Sequence, residues 1–119
     1  MIRRHSILVV DDDPLFRELY RTALRLEGFD VSTASDGVAA LRAIEGNPPS
    51  LVILDVHMPC LDGWGVLQEL SRFESTRAIP VVVVTSSDVI QATAQAVAIL
   101  TKPISPEELL PVIRQQLSF

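Results

Sequence analysis

At 119 residues, with 48% hydrophobic and 21% charged residues, the chain has the size and composition of one globular domain, residues 1–119, and is too short for two ordinary ones. Acidic residues outnumber basic ones by 15 to 10, giving a net charge of −5 and a pI near 4.8, which argues against the basic footprint of a direct nucleic-acid binder. No apolar run approaches the ~18 residues of a membrane span, residues 1–10 lack a secretory leader's apolar core, and a lone cysteine, Cys60, cannot close an internal disulfide, so the expected compartment is the cytoplasm.

Apolar runs alternate with helix-like segments. The first run, 6–11 (SILVVD), predicts a strand that ends in Asp11, Asp12 and Asp13. A helix over 14–27 follows, with Asp13 as N-cap rather than metal ligand, Pro14 at N1, an apolar face of Leu15, Leu19, Ala23 and Leu26, and Gly28 as its stop. Residues 30–34 (DVSTA) read as an edge strand, and a helix is expected at about 36–46. The run 51–55 (LVILD) is a buried strand that closes on Asp55, with Met58-Pro59 and Asp62-Gly63 shaping the loop before a helix over 63–72. Next come a strand at 81–85 (VVVVT), a helix over 87–95, and a strand at 97–100 (VAIL) that runs into Thr101-Lys102-Pro103. The last helix, 106–117, opens with a capping box formed by Ser105 and Glu108. Pro111 inside it lacks an amide proton and should bend or loosen its first turns.

Five strands alternating with five helices imply a doubly wound α/β domain: a five-stranded parallel sheet with helices on both faces. Four of the runs are unbroken and apolar, as parallel strands buried on both faces are. In a flavodoxin-like order, 2-1-3-4-5, ligands bind beyond the carboxyl ends of the strands where the order reverses. That edge would collect Asp11, Asp12, Asp55, Thr85 and Lys102. Carboxylates so gathered repel one another and call for a divalent cation, and an all-oxygen donor set favours Mg2+. Asp55 is then a candidate nucleophile that forms an aspartyl phosphate while metal and lysine neutralise charge on the transferring group. An apolar strand holds that last carboxylate in line.

At these residues the chain resembles a response-regulator receiver domain, through "ILVVDDDP", "LVILDVHMPCLDG", "VVVVTSSD" and "LTKPIS", four motifs in order at the ends of the predicted strands. The resemblance covers nearly the whole chain. It implies that Asp11 and Asp12 are the acidic pair, Asp12 being the more direct Mg2+ ligand, and that the backbone carbonyl of His57 helps bind the metal. Asp55 would accept a phosphoryl group from a histidine kinase or histidine phosphotransfer protein, Thr85 would move its hydroxyl toward that group, and Lys102 would pair with it. The Lys102-Pro103 bond would be cis. Such a domain is a signalling switch that catalyses only its own phosphorylation and slow dephosphorylation.

The departures from the family pattern bear on output. Only 17 positions separate Thr85 from Lys102 and the usual Gly-Ala turn before the fifth strand is missing, so the fourth helix, 87–95, should be shortened. Ile99 stands where the family usually has Tyr or Phe, while Ser86 keeps the small size that leaves the pocket open. Dimerisation through the face of 87–117 is therefore expected to be weak or absent, giving a monomer or weak dimer. One alternative is a receiver-like interaction module that does not respond to phosphorylation. Another is an aspartyl-nucleophile phosphatase, which needs a second acid two positions after the nucleophile, where this chain has His57. The sequence stops at Phe119, right after the last helix, as a stand-alone regulator or a receiver cut from a longer one would.

Overall fold

The central apolar runs have two faces to bury, and a parallel sheet covered by helices on both sides buries both. The computed structural model describes residues 4–56, 62–85 and 96–117. Within these the elements follow in the order β1 (Ser6–Val10), α1 (Pro14–Leu26), β2 (Asp30–Ala34), α2 (Gly37–Gly46), β3 (Leu51–Leu54), α3 (Gly63–Ser71), β4 (Val81–Thr85), β5 (Ala96–Thr101) and α4 (Pro106–Leu117). The sheet order is β2-β1-β3-β4-β5 with every neighbouring pair parallel, the flavodoxin-like topology expected from the alternation. The helix expected over 87–95, and with it the question of its shortening, lies outside the described residues, as do His57, Met58, Pro59, Cys60 and Ser86.

Alternate residues of each strand face opposite layers. Leu8, Val10, Val52, Leu54, Val81 and Val83 pack with Ala40 and Ile44 of α2 and with Val66, Leu67 and Leu70 of α3. Ile7, Val9, Leu51, Ile53, Val82 and Val84 face the other way and meet Tyr20 and Leu24 of α1 and Leu109, Ile113 and Leu117 of α4. With both faces filled, β1, β3 and β4 are fixed, and so are the residues that leave their ends.

Two sequence expectations are corrected. The run 97–100 reads as a strand buried on both faces, yet β5, at the edge where the expected order puts it, has no fully buried residue, and Val97 is 40% exposed. Residue type alone does not distinguish an edge from a centre. On α1, Leu15, Leu19 and Leu26 face outward, 80%, 51% and 83% exposed. The helix carries two apolar stripes at helical spacing, and the one that packs is Phe16, Tyr20 and Leu24. Its rings bury more area than the leucines would, and Tyr20 gains a hydrogen bond from its hydroxyl to the Ile104 carbonyl at 2.8 Å.

The helix ends are set as local chemistry dictates. Asp13 caps α1 by accepting the Leu15 N–H at 2.9 Å. Gly28, with φ +96°, ends it, donating its N–H to the Arg25 carbonyl while Phe29 donates to Leu24, the paired bonds of a Schellman turn. Asp62 caps α3 through the Gly65 N–H. At the start of α4 Ser105 Oγ accepts the Glu108 N–H, the first half of the expected box, and donates to the Glu108 carboxylate. Pro111 sits within α4 without interrupting it; Glu107, whose carbonyl loses the Pro111 donor, is on the exposed side and open to water. No helix among the described residues is long and apolar enough to cross a membrane.

Candidate functional site

Strand register delivers the polar residues to one edge. Val10 of β1 lies opposite Leu54 of β3, so Asp11 and Asp55 leave the sheet side by side. Each stands one residue past its strand but remains tied to it: Asp11 N–H donates to Ala34 O at 3.2 Å and Asp55 N–H to Val10 O at 2.9 Å. On the other side Thr85 lies opposite Thr101, and the Lys102 N–H donates to the Thr85 carbonyl at 2.8 Å. The Lys102-Pro103 peptide is cis.

Burial divides the acidic group. Asp11 and Asp55 are 3% and 5% exposed, Thr85 is 1% exposed, and Asp12 stands open to solvent. Asp11 uses both carboxylate oxygens within the protein: Oδ1 accepts the Asp13 N–H at 2.9 Å, and Oδ2 accepts from Lys102 Nζ at 2.7 Å. Nζ is also 3.6 Å from Asp55 Oδ2. Burial opposes the charge on Lys102, but the hydrogen bond and charge of Asp11, with those of Asp55, outweigh it and raise its pKa above the ordinary lysine value. Lys102, the chain's one lysine, is therefore an ammonium at neutral pH.

Asp11, Asp12 and Asp55 each offer a carboxylate oxygen, and the three oxygens lie within 4.8 Å of one another. Three carboxylates against one ammonium leave an excess of two negative charges, which one divalent cation balances. An all-oxygen donor set with an exposed member that leaves room for waters suits Mg2+ rather than a softer metal.

Residues to which the sequence assigned no part in the site, and Gly63 of the expected loop, build the surroundings. Arg17 Nη1 donates to the Asp11 carbonyl at 2.7 Å, steadying the turn after β1. The Phe16 ring lies under the lysine, 4.3 Å from Nζ to its centroid, and Tyr20 packs on Phe16 at 5.6 Å. Burial, followed by the negative charges of Asp11 and Glu108, pushes the Tyr20 hydroxyl up to about 12. Gly63 opens α3 directly against the exit of β3: its N–H donates to Val56 O at 3.2 Å, and a Cβ there would fall 2.5 Å from Val56 Cα and 2.6 Å from Asp55 O. The Phe16/Tyr20 spacing of four and the Asp62-Gly63 pair were visible signals, but what they touch was not. Of the residues expected in the site, Asp11, Asp12, Asp55 and Lys102 come together, Thr85 closes the end of β4 beside Lys102, and Asp13 is a cap. Ile99 is half-buried against the α2/α3 layer.

A five-stranded 2-1-3-4-5 sheet with three aspartates and a lysine at its carboxyl edge defines a class, and comparison with known proteins gives the same class. Residues 7–114 match the family model of the response regulator receiver domain, and the chain belongs to that family. It is 40% identical over 121 residues to the probable transcriptional regulator ycf27 of Cyanophora paradoxa, covering 98% of this chain and 49% of that protein. To the DNA-binding dual master transcriptional regulator RpaA of Synechocystis it is 38% identical over 113 residues, covering 91% of this chain and 47% of that one. The chain thus spans about half the length of these regulators. Among solved structures, the chemotaxis response regulator CheY4 of Vibrio cholerae superposes with a TM-score of 0.87 at 26% identity, over 97% of this chain and all of the other.

Proposed function

We propose that the chain is the phosphoacceptor receiver of a two-component phosphorelay, in which Asp55 takes a phosphoryl group from a histidine kinase or histidine phosphotransfer protein and the altered edge changes what the domain binds. The observation that carries this reading is the setting of Asp55, a nearly buried carboxylate tied by its N–H to β1 and 3.6 Å from the ammonium of the one lysine. An Asp55 carboxylate oxygen attacks phosphorus. The bond from phosphorus to the leaving atom breaks, and its electron pair departs with the donor's imidazole or, for acetyl phosphate, with acetate. Lys102 would follow negative charge onto the phosphoryl oxygens, and Thr85 would bring a hydroxyl from the end of β4.

Asp12, Asp55 and the His57 carbonyl would hold Mg2+ with help from Asp11, and the metal would neutralise charge on the transferring oxygens. Exposed Asp12 would be the more direct ligand, since both oxygens of Asp11 already accept hydrogen bonds. Leu15 and Leu19, exposed on the first turns of α1 beside Asp12, offer an apolar landing for the donor protein in the cytoplasm. The net charge of −5 speaks against direct DNA contact by this domain. It acts as a switch, with self-phosphorylation and slow dephosphorylation its only chemistry.

Incubation with acetyl phosphate and Mg2+, followed by intact-mass spectrometry, tests the reading. One phosphoryl group is expected on the wild type and none on Asp55→Asn. Equal labelling of both would refute the assignment, and an unlabelled wild type would favour the unresponsive interaction module.

A further inference from the structure

Among the described residues the Lys102 ammonium makes three contacts, and two of them compete. Its ammonium bonds Asp11 at 2.7 Å and stands 3.6 Å from Asp55, so it is shared between a carboxylate that stays and one that becomes phosphorylated. The third contact does not depend on which anion it serves. The face of Phe16 lies 4.3 Å from Nζ, and the lysine side chain is only 14% exposed. An aromatic face attracts a cation through its quadrupole, most strongly where water is excluded.

The ring is itself held. Phe16 belongs to the layer between the sheet, α1 and α4, and Tyr20, one turn on, packs against it at 5.6 Å. The Tyr20 hydroxyl bonds the carbonyl of Ile104, two residues after Lys102. Two aromatic residues of α1 thus grip the segment 102–104 at both ends, one by its charge and one by its backbone.

We propose that Phe16 is a positioning residue for phosphoryl transfer: its ring is a neutral seat over which the Lys102 ammonium moves from Asp11 toward the phosphoryl oxygens on Asp55. This rests on the phosphoacceptor reading of Asp55 and adds to it a residue that touches neither the donor nor the metal. A neutral attractive face keeps the ammonium from being trapped by Asp11, because its pull on the cation is felt most once the direct bond to Asp11 loosens, which favours the lysine in transit toward Asp55 over the lysine at rest.

The test uses Phe16→Leu, Phe16→Trp and replacement of Phe16 by pentafluorophenylalanine through nonsense suppression. Fluorination keeps the ring's shape and reverses its quadrupole, so packing alone would not respond to it. Labelling by acetyl phosphate at saturating Mg2+ should slow about five-fold in the leucine and pentafluoro variants, a loss of about 1 kcal/mol in the transition state, and stay within two-fold in Phe16→Trp. The change should fall on the maximal rate rather than on the donor concentration giving half of it. Because the chain has one lysine, lysine-selective isotope labelling gives a single ε-methylene signal, which ring current should shift upfield in the wild type. Phosphorylation should move that signal without returning it to the position of a lysine in water.

A pentafluoro variant labelled as fast as the wild type, or a wild-type ε-methylene signal at the free-lysine position, would overturn the proposal even if Phe16→Leu failed to fold. A wild type that takes no phosphoryl group at all would instead overturn the phosphoacceptor reading, while the spectrum alone would still report whether the ring seats the lysine.

Discussion

Replacing Gly63 by alanine adds one methyl group where β3 hands over to Asp55. The new Cβ would lie 2.5 Å from Val56 Cα, 2.6 Å from Asp55 O and 2.8 Å from Val56 Cγ1, up to about 0.9 Å inside the 3.4 Å at which ordinary contact begins. Two of those three atoms are backbone, and the Asp55 N–H is pinned to Val10 O, so the strain cannot be relieved by turning a side chain. Overpacking of this kind costs about 1–3 kcal/mol, or roughly 4 °C of melting temperature per kcal/mol in a domain this size. A displacement of ~1 Å at a reacting group lowers rates about 100-fold. Gly63→Ala should therefore lower both stability and Asp55 labelling, although helix propensity alone favours alanine by ~1 kcal/mol. Gly46→Ala is the control, because nothing lies within 4 Å of its added methyl group; it should be neutral or mildly stabilising. Chemical denaturation and the rate of acetyl phosphate labelling, read by intact mass, compare the two. If Gly63→Ala proved as stable and as quickly labelled as Gly46→Ala, the close approach of α3 to Asp55 would have no bearing on the site.

Mg2+ should raise the thermal midpoint, by about 1.4 kcal/mol of stability at ten times its dissociation constant. Asp12→Ala should abolish that dependence while raising the metal-free midpoint, since it removes one of three clustered carboxylates; a midpoint indifferent to millimolar Mg2+ would contradict the metal site. Alkali should destabilise the fold through the one tyrosine. Above pH 10 the unfolded chain gives up the phenolic proton that native Tyr20 keeps until about 12, so its contribution is complete below pH 10 and is lost as pH climbs toward 12. Tyr20→Phe should flatten the stability profile in that window, leaving the loss contributed by Lys102, whose raised pKa acts in the same direction; urea titrations from pH 9 to 12 that show equal slopes for both proteins would refute this.

Much of the molecule was legible in one dimension. Unbroken valine and isoleucine runs separated by capped helical segments have few ways to bury two faces, and handed crossovers reduce those to a doubly wound sheet. The aspartates after β1 and β3, Thr85 and Lys102 could be placed on one edge because strand ends are marked by the change from apolar to polar residues, and caps such as Asp13 and Ser105 act over three or four residues. What sequence could not decide were choices among partners of similar character. Phe16 and Tyr20 compete with Leu15 and Leu19 for the buried face of α1, and both stripes satisfy the helical period. The rings win because they bury more apolar area than the leucines would and because Ile104 offers Tyr20 an acceptor. Tertiary structure alone settles that Lys102 reaches across to Asp11 as well as Asp55, over the ring of Phe16, and that Gly63 must lack a side chain. These contacts join residues far apart in sequence, and their geometry depends on where two helices come to rest on the sheet, which no local pattern of residue types encodes.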